Sequence, residues 1–432
     1  MVSICLYFQV HQPYRIKKYS IFDIGKNIDY FSDDSQSNIN NIYVLKKVSE
    51  KCYLPANSLL LTLLNRYPEF KISFSFSGVF LEQIEKYAPE VLKSFQELVK
   101  TGRVEILEET YHHSLSFLYS REEFREQIRL HKKIVQRLFG QTPKVFRNTE
   151  LIYNNDLAAE IESLGYKGIL AEGADFILGW KSPNFLYSPT NTKKIKLLLK
   201  NYRLSDDIAF RFSEKSWKEW PLTAPKYTQW INAVNGNGET INLFMDYETF
   251  GEHQWEETGI FNFLENLPEE ILKNPDNNFK TPSEVIDSYP TRGECDIPNF
   301  ISWADIERDL SAWVGNGMQH AAINKVYSLR LKILKINNPQ IIDDWRKLQT
   351  SDHFYYMCTK WFSDGDVHKY FNPYNSPYDA FISFMNVLHD LELKITNIEQ
   401  LSKENNTIFE TSCNNIYKYN SLINSKEKGG DE

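Results

Sequence analysis

Acidic and imidazole side chains gather in this chain directly behind short apolar runs, where one pocket can use several of them together. Four such junctions stand out. The first run ends in His11-Gln12-Pro13; another carries Glu105 and continues into Glu108-Glu109-Thr110-Tyr111-His112-His113. A third ends in Arg147-Asn148-Thr149-Glu150, and a fourth in Asp246-Tyr247-Glu248-Thr249-Phe250-Gly251-Glu252-His253. Two carboxyl groups flanking one bond are the usual equipment for cleaving a link between sugars, one attacking or activating water and the other protonating the departing oxygen. Glu150 and Asp246 are candidates for that pair; their plainer readings are a helix N-terminal charge ahead of residues 156–164 and an exposed loop acid. His11 has three readings: donor to a substrate hydroxyl, metal ligand, or structural residue closing a strand. His112 and His113 point opposite ways on an extended chain, so they cannot chelate one ion as a pair. One of His11, His112 or His113 with Asp246 suits zinc by residue type, but no HExxH-like spacing supports a metal site.

Residues at the ends of apolar runs converge only if the runs are strands of one sheet. Strands are expected at residues 3–10, 71–77, 104–107, 144–147, 168–170, 194–199 and 241–245. Helix-like stretches lie between them, at 42–65, 89–100, 122–139, 156–164 and 227–234. This alternation is the signature of βα units around a parallel sheet, and seven strands suit a closed barrel. In such barrels the chemistry sits where strands end and βα loops begin. The segment 121–140 shows the outer-helix pattern, with Phe124, Ile128, Leu130, Ile134, Val135 and Leu138 as an apolar stripe among charges. Gly102 and Gly140 stand where helix C-caps are expected. After about residue 260 the pattern turns helical, at 306–336, 339–350 and 378–393. The string 303–316 there reads either as an amphipathic helix whose Trp313 fills a domain interface or as an aromatic and acidic wall closing the barrel mouth. The expected organisation is a barrel over 1–260, a helical domain over 261–400, and a polar, partly disordered tail over 401–432.

Composition narrows the function. With 49 Lys+Arg against 57 Asp+Glu the chain carries a net charge of −8, and no basic face offers itself to nucleic acid. No run approaches the roughly 18 apolar residues of a membrane span, and the first residues lack the basic start of an export signal. Five cysteines, odd in number and without a CxxC spacing, make a disulfide framework improbable and fit a cytoplasmic protein. Aromatic residues make up 14% of the chain, enough to serve both a core and a surface that stacks on flat ligand faces.

Five short ordered motifs resemble those of the glycoside hydrolase family 57 amylases and glucanotransferases: His11-Gln12-Pro13, Gly102-Arg103-Val104-Glu105, the segment ending in Glu150, Phe244-Met245-Asp246-Tyr247-Glu248, and the region 303–316. The third departs from many members, which place a tryptophan and small residues where this chain has Phe146-Arg147-Asn148-Thr149. The resemblance implies an α/β fold, an incomplete (β/α)7 barrel followed by a helical domain that completes the site. It also implies a retaining mechanism on α-1,4-glucans with Glu150 as nucleophile and Asp246 as acid/base. His11, Glu105, Glu248 and Trp313 would then support the reaction. Arg147, facing the pocket, would keep Glu150 ionised, and Trp303, Trp313, Tyr111, Tyr247 and Phe250 would offer stacking faces. Gln12 and His253 complete the expected substrate contacts. No cofactor or metal is expected. Asp246 has to hold a proton at the outset, and an apolar strand end beside the Glu150 charge raises its pKa in that direction. Hydrolysis and transfer to a second sugar share the glycosyl-enzyme and stay open. A metal-dependent polysaccharide deacetylase, needing a His/Asp triad, and a noncatalytic carbohydrate-binding protein are the competing readings.

Overall fold

Nine consecutive buried residues, Val2–Val10, form the first strand, β1, apolar but for Ser3 and Gln9 because both of its faces are covered. The structure, a computed structural model, describes residues 1–32, 40–360 and 372–401. The further strands are β2 (Ile72–Phe76), β3 (Val104–Ile106), β4 (Val145–Arg147), β5 (Gly168–Glu172), β6 (Leu186–Pro189), β7 (Lys196–Lys200), β8 (Thr240–Asp246), β9 (Asn277–Phe279) and β10 (Thr291–Cys295). β1 pairs in parallel with β2 and β8, β2 with β3, and β5 with both β4 and β7. The two sheets join behind β3, where Glu108 N donates to Val145 O at 2.9 Å and Arg147 N to Glu108 O at 2.8 Å. Across the remaining gap Asn201 N donates to Asn242 O at 2.9 Å, but no strand ladder joins β7 to β8 among the described residues. That edge of β7 is taken by β6, which runs antiparallel and pairs Tyr187 with Leu197, with β10 outside it. The ring β1-β2-β3-β4-β5-β7-β8 is the expected incomplete (β/α)7 barrel.

Side chains alternate about this ring. Ile4, Leu6, Phe8 and Val10 join Ile72, Phe74 and Phe76 in the cluster beneath the outer helices, whereas Cys5 and Tyr7 meet Val145, Leu170, Leu198 and Phe244 inside the barrel. Each inward set turns polar toward the strand ends: Cys5, Tyr7, Gln9, His11 along β1, and Phe244 then Asp246 along β8. Helix Arg121–Phe139 closes one outer face; Ser120 caps it by accepting from Glu123 N, and Gly140 ends it at φ 68°, a left-handed conformation that costs glycine little.

The structure corrects the expected boundaries. β9 pairs with the start of β1, and helix Ile260–Leu272 packs on helix Ala224–Asn232, so the barrel layer runs to Cys295 and not to 260. Conversely Tyr14, Ile16, Tyr19, Tyr30 and Phe31, from the loop after β1, are built into the helical core with Trp345, Phe354 and Leu388. The expected helix over 306–336 is three pieces, Ser311–Val314, Gly317–Ser328 and Arg330–Ile336. Its first residues cannot be helical, because Asp305 and Arg308 lie at φ 58° and 50°. The helix Gly78–Tyr87 and strands β6, β9 and β10 had no counterpart in the sequence reading. The proposed tail from 402 on lies outside the described residues.

Candidate active site

At the mouth, the inward positions of successive strands carry titratable instead of apolar side chains: His11 after β1, Glu109 after β3, Arg147 on β4, Glu172 on β5, Lys200 on β7 and Asp246 on β8. Glu150 enters above them on the turn Thr149–Leu151, where it and Leu151 adopt left-handed φ values of 56° and 50°. Trp303 fixes this turn twice. Its backbone N donates to Glu150 O at 3.2 Å and its indole Nε1 to Glu150 Oε2 at 2.8 Å.

The other carboxylate oxygen, Oε1, faces His113 Nε2 at 3.2 Å and Ser351 Oγ at 3.4 Å. Glu150 keeps 21% of its side-chain surface open, against 3% for His113, so the carboxylate is reachable and its partner is not. Burial pushes the Glu150 pKa up, but the His113 hydrogen bond and charge, Arg147 and Trp303 together hold it below the usual carboxylate value. Glu109 is brought down to about 2 by His113 and Arg147 against its burial, and Gln9 Nε2 donates to its Oε1 at 3.0 Å.

His11 stands next to His113. Its Nε2 lies 2.9 Å from Asp352 Oδ2 and its Nδ1 2.6 Å from Ser77 Oγ, and its ring stacks on that of His113 at 4.1 Å. Burial and the His113 charge lower the His11 pKa. Neutral His11 therefore donates from Nε2 to Asp352 and accepts at Nδ1 from Ser77. Burial alone would raise the pKa of Asp352, yet His11 and His113 hold it far below the ordinary value.

Asp246 differs from these carboxylates. Burial, then the charge of Glu150, push its pKa up to about 6, with Arg147, His113 and Lys200 opposing. One carboxyl thus keeps its proton up to about pH 6, while the other gives its proton up below the usual carboxylate range. Behind Asp246, Glu248 is raised to about 8 by burial and by Asp246 and accepts from the Tyr53 hydroxyl.

Of the expected site residues, Glu150, Asp246, His11 and Trp303 come together at the mouth. Glu248 and Gln12 are buried behind it; Arg15 Nη2 donates to Gln12 Oε1 at 3.0 Å. The other expected residues lie elsewhere than at the open mouth. Arg147 is 0% exposed and lies beneath Trp303, its guanidinium carbon 4.9 Å from the ring centroid and its nitrogens without a hydrogen-bond partner among the described residues; substrate cannot reach it, and it acts as a buried counter-charge. Glu105 points into the barrel near its other end, where Ser283 N and Oγ donate to it at the start of helix Pro282–Ser288. Tyr247 alternates outward from Asp246 into the core against Phe8, Tyr53 and Phe74, with its hydroxyl on Asn57 at 2.6 Å, and Phe250 packs there too. Tyr111 lies over Gly78 and donates to Glu82 Oε1 at 2.7 Å. Trp313 is buried in the helical core beside Tyr355, and His253 is exposed on the loop after β8. The sequence reading missed Glu109, His113 as a partner of Glu150, Lys200, Glu172 and Asp352. Lys200 Nζ, 5.4 Å from the Trp303 ring, pairs with Asp206 at 3.0 Å and Glu172 at 3.4 Å. Among the described residues no group of three His, Cys, Asp or Glu side chains is placed to hold a metal ion, and no helix is long and apolar enough to cross a membrane.

A parallel barrel whose mouth sets a carboxylate held ionised near a carboxyl whose pKa is raised toward neutrality has the working parts of a glycosidase. The profile of glycosyl hydrolase family 57 matches residues 5–298, and the chain belongs to that family. A Methanocaldococcus jannaschii protein, provisionally named an alpha-amylase, is 47% identical over 90% of this chain and 84% of its own length. Alpha-amylase 1 of Dictyoglomus thermophilum is 25% identical over 63% of this chain and 40% of its own length; this chain thus spans less than half of that longer relative. Among solved structures, a GH57 branching enzyme of Thermococcus kodakaraensis superposes with a TM-score of 0.63 at 14% identity, covering 92% of this chain and 94% of that one. The 4-alpha-glucanotransferase of Thermococcus litoralis gives 0.62 at 18%, covering 82% and 56%. Both likenesses are of fold.

Proposed function

We propose that this glycosidase is a retaining, α-amylase-like enzyme that cleaves α-1,4-glucans, with Glu150 as nucleophile and Asp246 as acid/base. The opposite protonation preferences of these two groups within one pocket carry the reading. Glu150 attacks the anomeric carbon; the glycosidic C–O bond breaks, and the Asp246 proton passes to the departing oxygen. Asp246, now ionised, takes a proton from water as that oxygen attacks the same carbon, and Glu150 leaves as carboxylate. The charges around the nucleophile favour a neutral sugar: Arg147 and His113 are matched by Glu109 and Glu150, and Asp352 adds a further negative charge. The names of the relatives above support the glucan as substrate. We place the enzyme in the cytoplasm, where the buried free thiols of Cys5, Cys52, Cys295 and Cys358 persist reduced.

Chromatography of products from a ladder of maltooligosaccharides and soluble starch tests the proposal. Shorter glucans are expected, with the α-anomer formed first, and Glu150→Gln should abolish them. Products both longer and shorter than the starting sugar would make the enzyme a 4-alpha-glucanotransferase acting through the same intermediate. No product from any α-glucan, or full activity of Glu150→Gln, would overturn the proposal.

A further inference from the structure

We propose that His113, held as an imidazolium between Glu109 and Glu150, is the positioning residue that assigns the single proton of the catalytic pair to Asp246. The inference rests on the roles given above to Glu150 and Asp246. Its basis is geometric. His113 Nδ1 lies 2.9 Å from Glu109 Oε2 and Nε2 lies 3.2 Å from Glu150 Oε1, and a ring with both nitrogens against carboxylates satisfies both only by donating from both, which requires the charged form.

The carboxylate behind His113 is itself anchored. Gln9 Nε2 donates to Glu109, and Gln9 Oε1 receives Tyr7 OH at 2.8 Å and Ser75 Oγ at 2.7 Å. The chain thus runs from the barrel interior through Gln9, Glu109 and His113 to the nucleophile. The His113 backbone is also held, at φ 50°, by its N–H on Thr110 O at 3.0 Å and by Ser351 N donating to His113 O at 2.9 Å. A non-glycine residue keeps such a conformation only where its surroundings impose it.

The groups facing the ring are Glu109 on its own loop, Glu150 after β4, the neutral His11 stacked after β1, Asp352 on helix Ser351–Tyr355, and Arg147 and Asp246 through the shared field. Burial works against the charge on His113, and Glu109 and Glu150 together raise its pKa to about 9. Two carboxyls near one another ordinarily share one proton without preference. A fixed cation bonded to one of them breaks that symmetry: Glu150 stays the anion, and the proton remains on Asp246, where it can reach the leaving oxygen.

Two measurements test this, the first independent of turnover. In substrate-free enzyme with isotope-labelled histidine, the His113 signal, assigned by its loss in His113→Gln, should be that of an imidazolium at about pH 7.5, where an unperturbed histidine is neutral. A neutral ring overturns the proposal whether or not any glucan is cleaved. The second is the pH profile of kcat/KM for His113→Gln and for the isosteric Glu109→Gln. Losing the cation makes both carboxyls harder to ionise, so both limbs of the His113→Gln profile should move to higher pH, by about one to two units, which is about 10- to 100-fold in rate on the acid side. KM should stay within about threefold. Glu109→Gln should introduce a new ionisation below that of the wild-type ring as His113 loses its anchor. A uniform fall in activity with both limbs in place would mark His113 as merely structural and refute the assignment. If wild-type enzyme turned over no glucan, the function proposed above would fail while the histidine signal still decided the protonation of His113.

Discussion

Asp246 is stabilised in the form that catalysis needs at the expense of the fold, and the cost can be read from its titration. Burial and the charge of Glu150 move its pKa from 3.8 to about 6. Below the first value both folded and unfolded chains carry the proton, and the group is neutral to stability. Between the two values the unfolded chain has released it and the folded chain has not, so stability falls as pH rises from about 4 to about 6 and stays lower above that. At about 1.36 kcal/mol per pH unit the displacement is worth about 3 kcal/mol. Asparagine has the same shape and bears no charge, so Asp246→Asn should match wild type in stability near about pH 4 and exceed it by about 2–3 kcal/mol near about pH 8 while losing turnover throughout. For a chain of 432 residues the entropy of unfolding is about 0.9 kcal/mol per degree, so the Tm gap should open to about 3 °C. Thermal melts of both proteins across that range measure it. A gap that is constant with pH, or a variant less stable at the alkaline end, would show that the surroundings of Asp246 do not raise its pKa.

The remaining predictions separate the mouth from the core. Trp303→Phe keeps an aromatic ring above Arg147 and Lys200 but removes the indole N–H that reaches Glu150 at 2.8 Å. A hydrogen bond to a charged group contributes about 1.5–3 kcal/mol, so kcat should fall by about tenfold or more and the acid limb should move up; an unchanged pH profile would contradict the contact. Glu105→Gln and Tyr247→Phe alter residues that bond Ser283 and Asn57 away from the mouth. Each should lower stability by about 1 kcal/mol and leave kcat/KM within about twofold in a maltooligosaccharide assay. A tenfold loss of kcat/KM without loss of stability would return either residue to the site.

What could be read from the sequence was whatever local order carries. A strand shows as an apolar run and its functional end as the first polar residue beyond, so His11, Glu150 and Asp246 were found, as were the seven strands of the ring. Two kinds of residue escaped. The first depends on which way a strand faces. In a strand covered on both faces, inward and outward residues are equally apolar, so nothing distinguished Tyr247, which turns into the core, from Asp246, which turns into the pocket. Counting by twos from Phe244 would have separated them, and counting from Leu107 would have brought in Glu109. The second depends on distant partners. Asp352 reaches His11 from 341 positions away, on a helix of 5 residues, Ser351–Tyr355, too short to stand out by periodicity. Trp303 and Trp313 looked alike in one aromatic string; only the irregular backbone at Asp305 and Arg308 sends the first to Glu150 and the second into the helical core.

The same contacts explain why the nucleophile can sit where a side chain ordinarily would not. Glu150, Leu151 and His113 all adopt left-handed backbone conformations, each costing about 1–2 kcal/mol for a residue with a β-carbon. Glycine would relieve that strain but could supply neither a carboxylate nor an imidazole. The cost is met by bonds arriving from two directions: Trp303 N on Glu150 O and Ser351 N on His113 O come from the segments after the barrel, while Leu151 N on Asn148 O and His113 N on Thr110 O close each turn from within. The part of the chain after Cys295 therefore does more than cover the mouth. It supplies the hydrogen bonds that hold the two strained turns, and with them the charge pattern, in place. A barrel ending at Cys295 would keep Glu150 and Asp246 in its sequence and lose the geometry that gives them different protonation states.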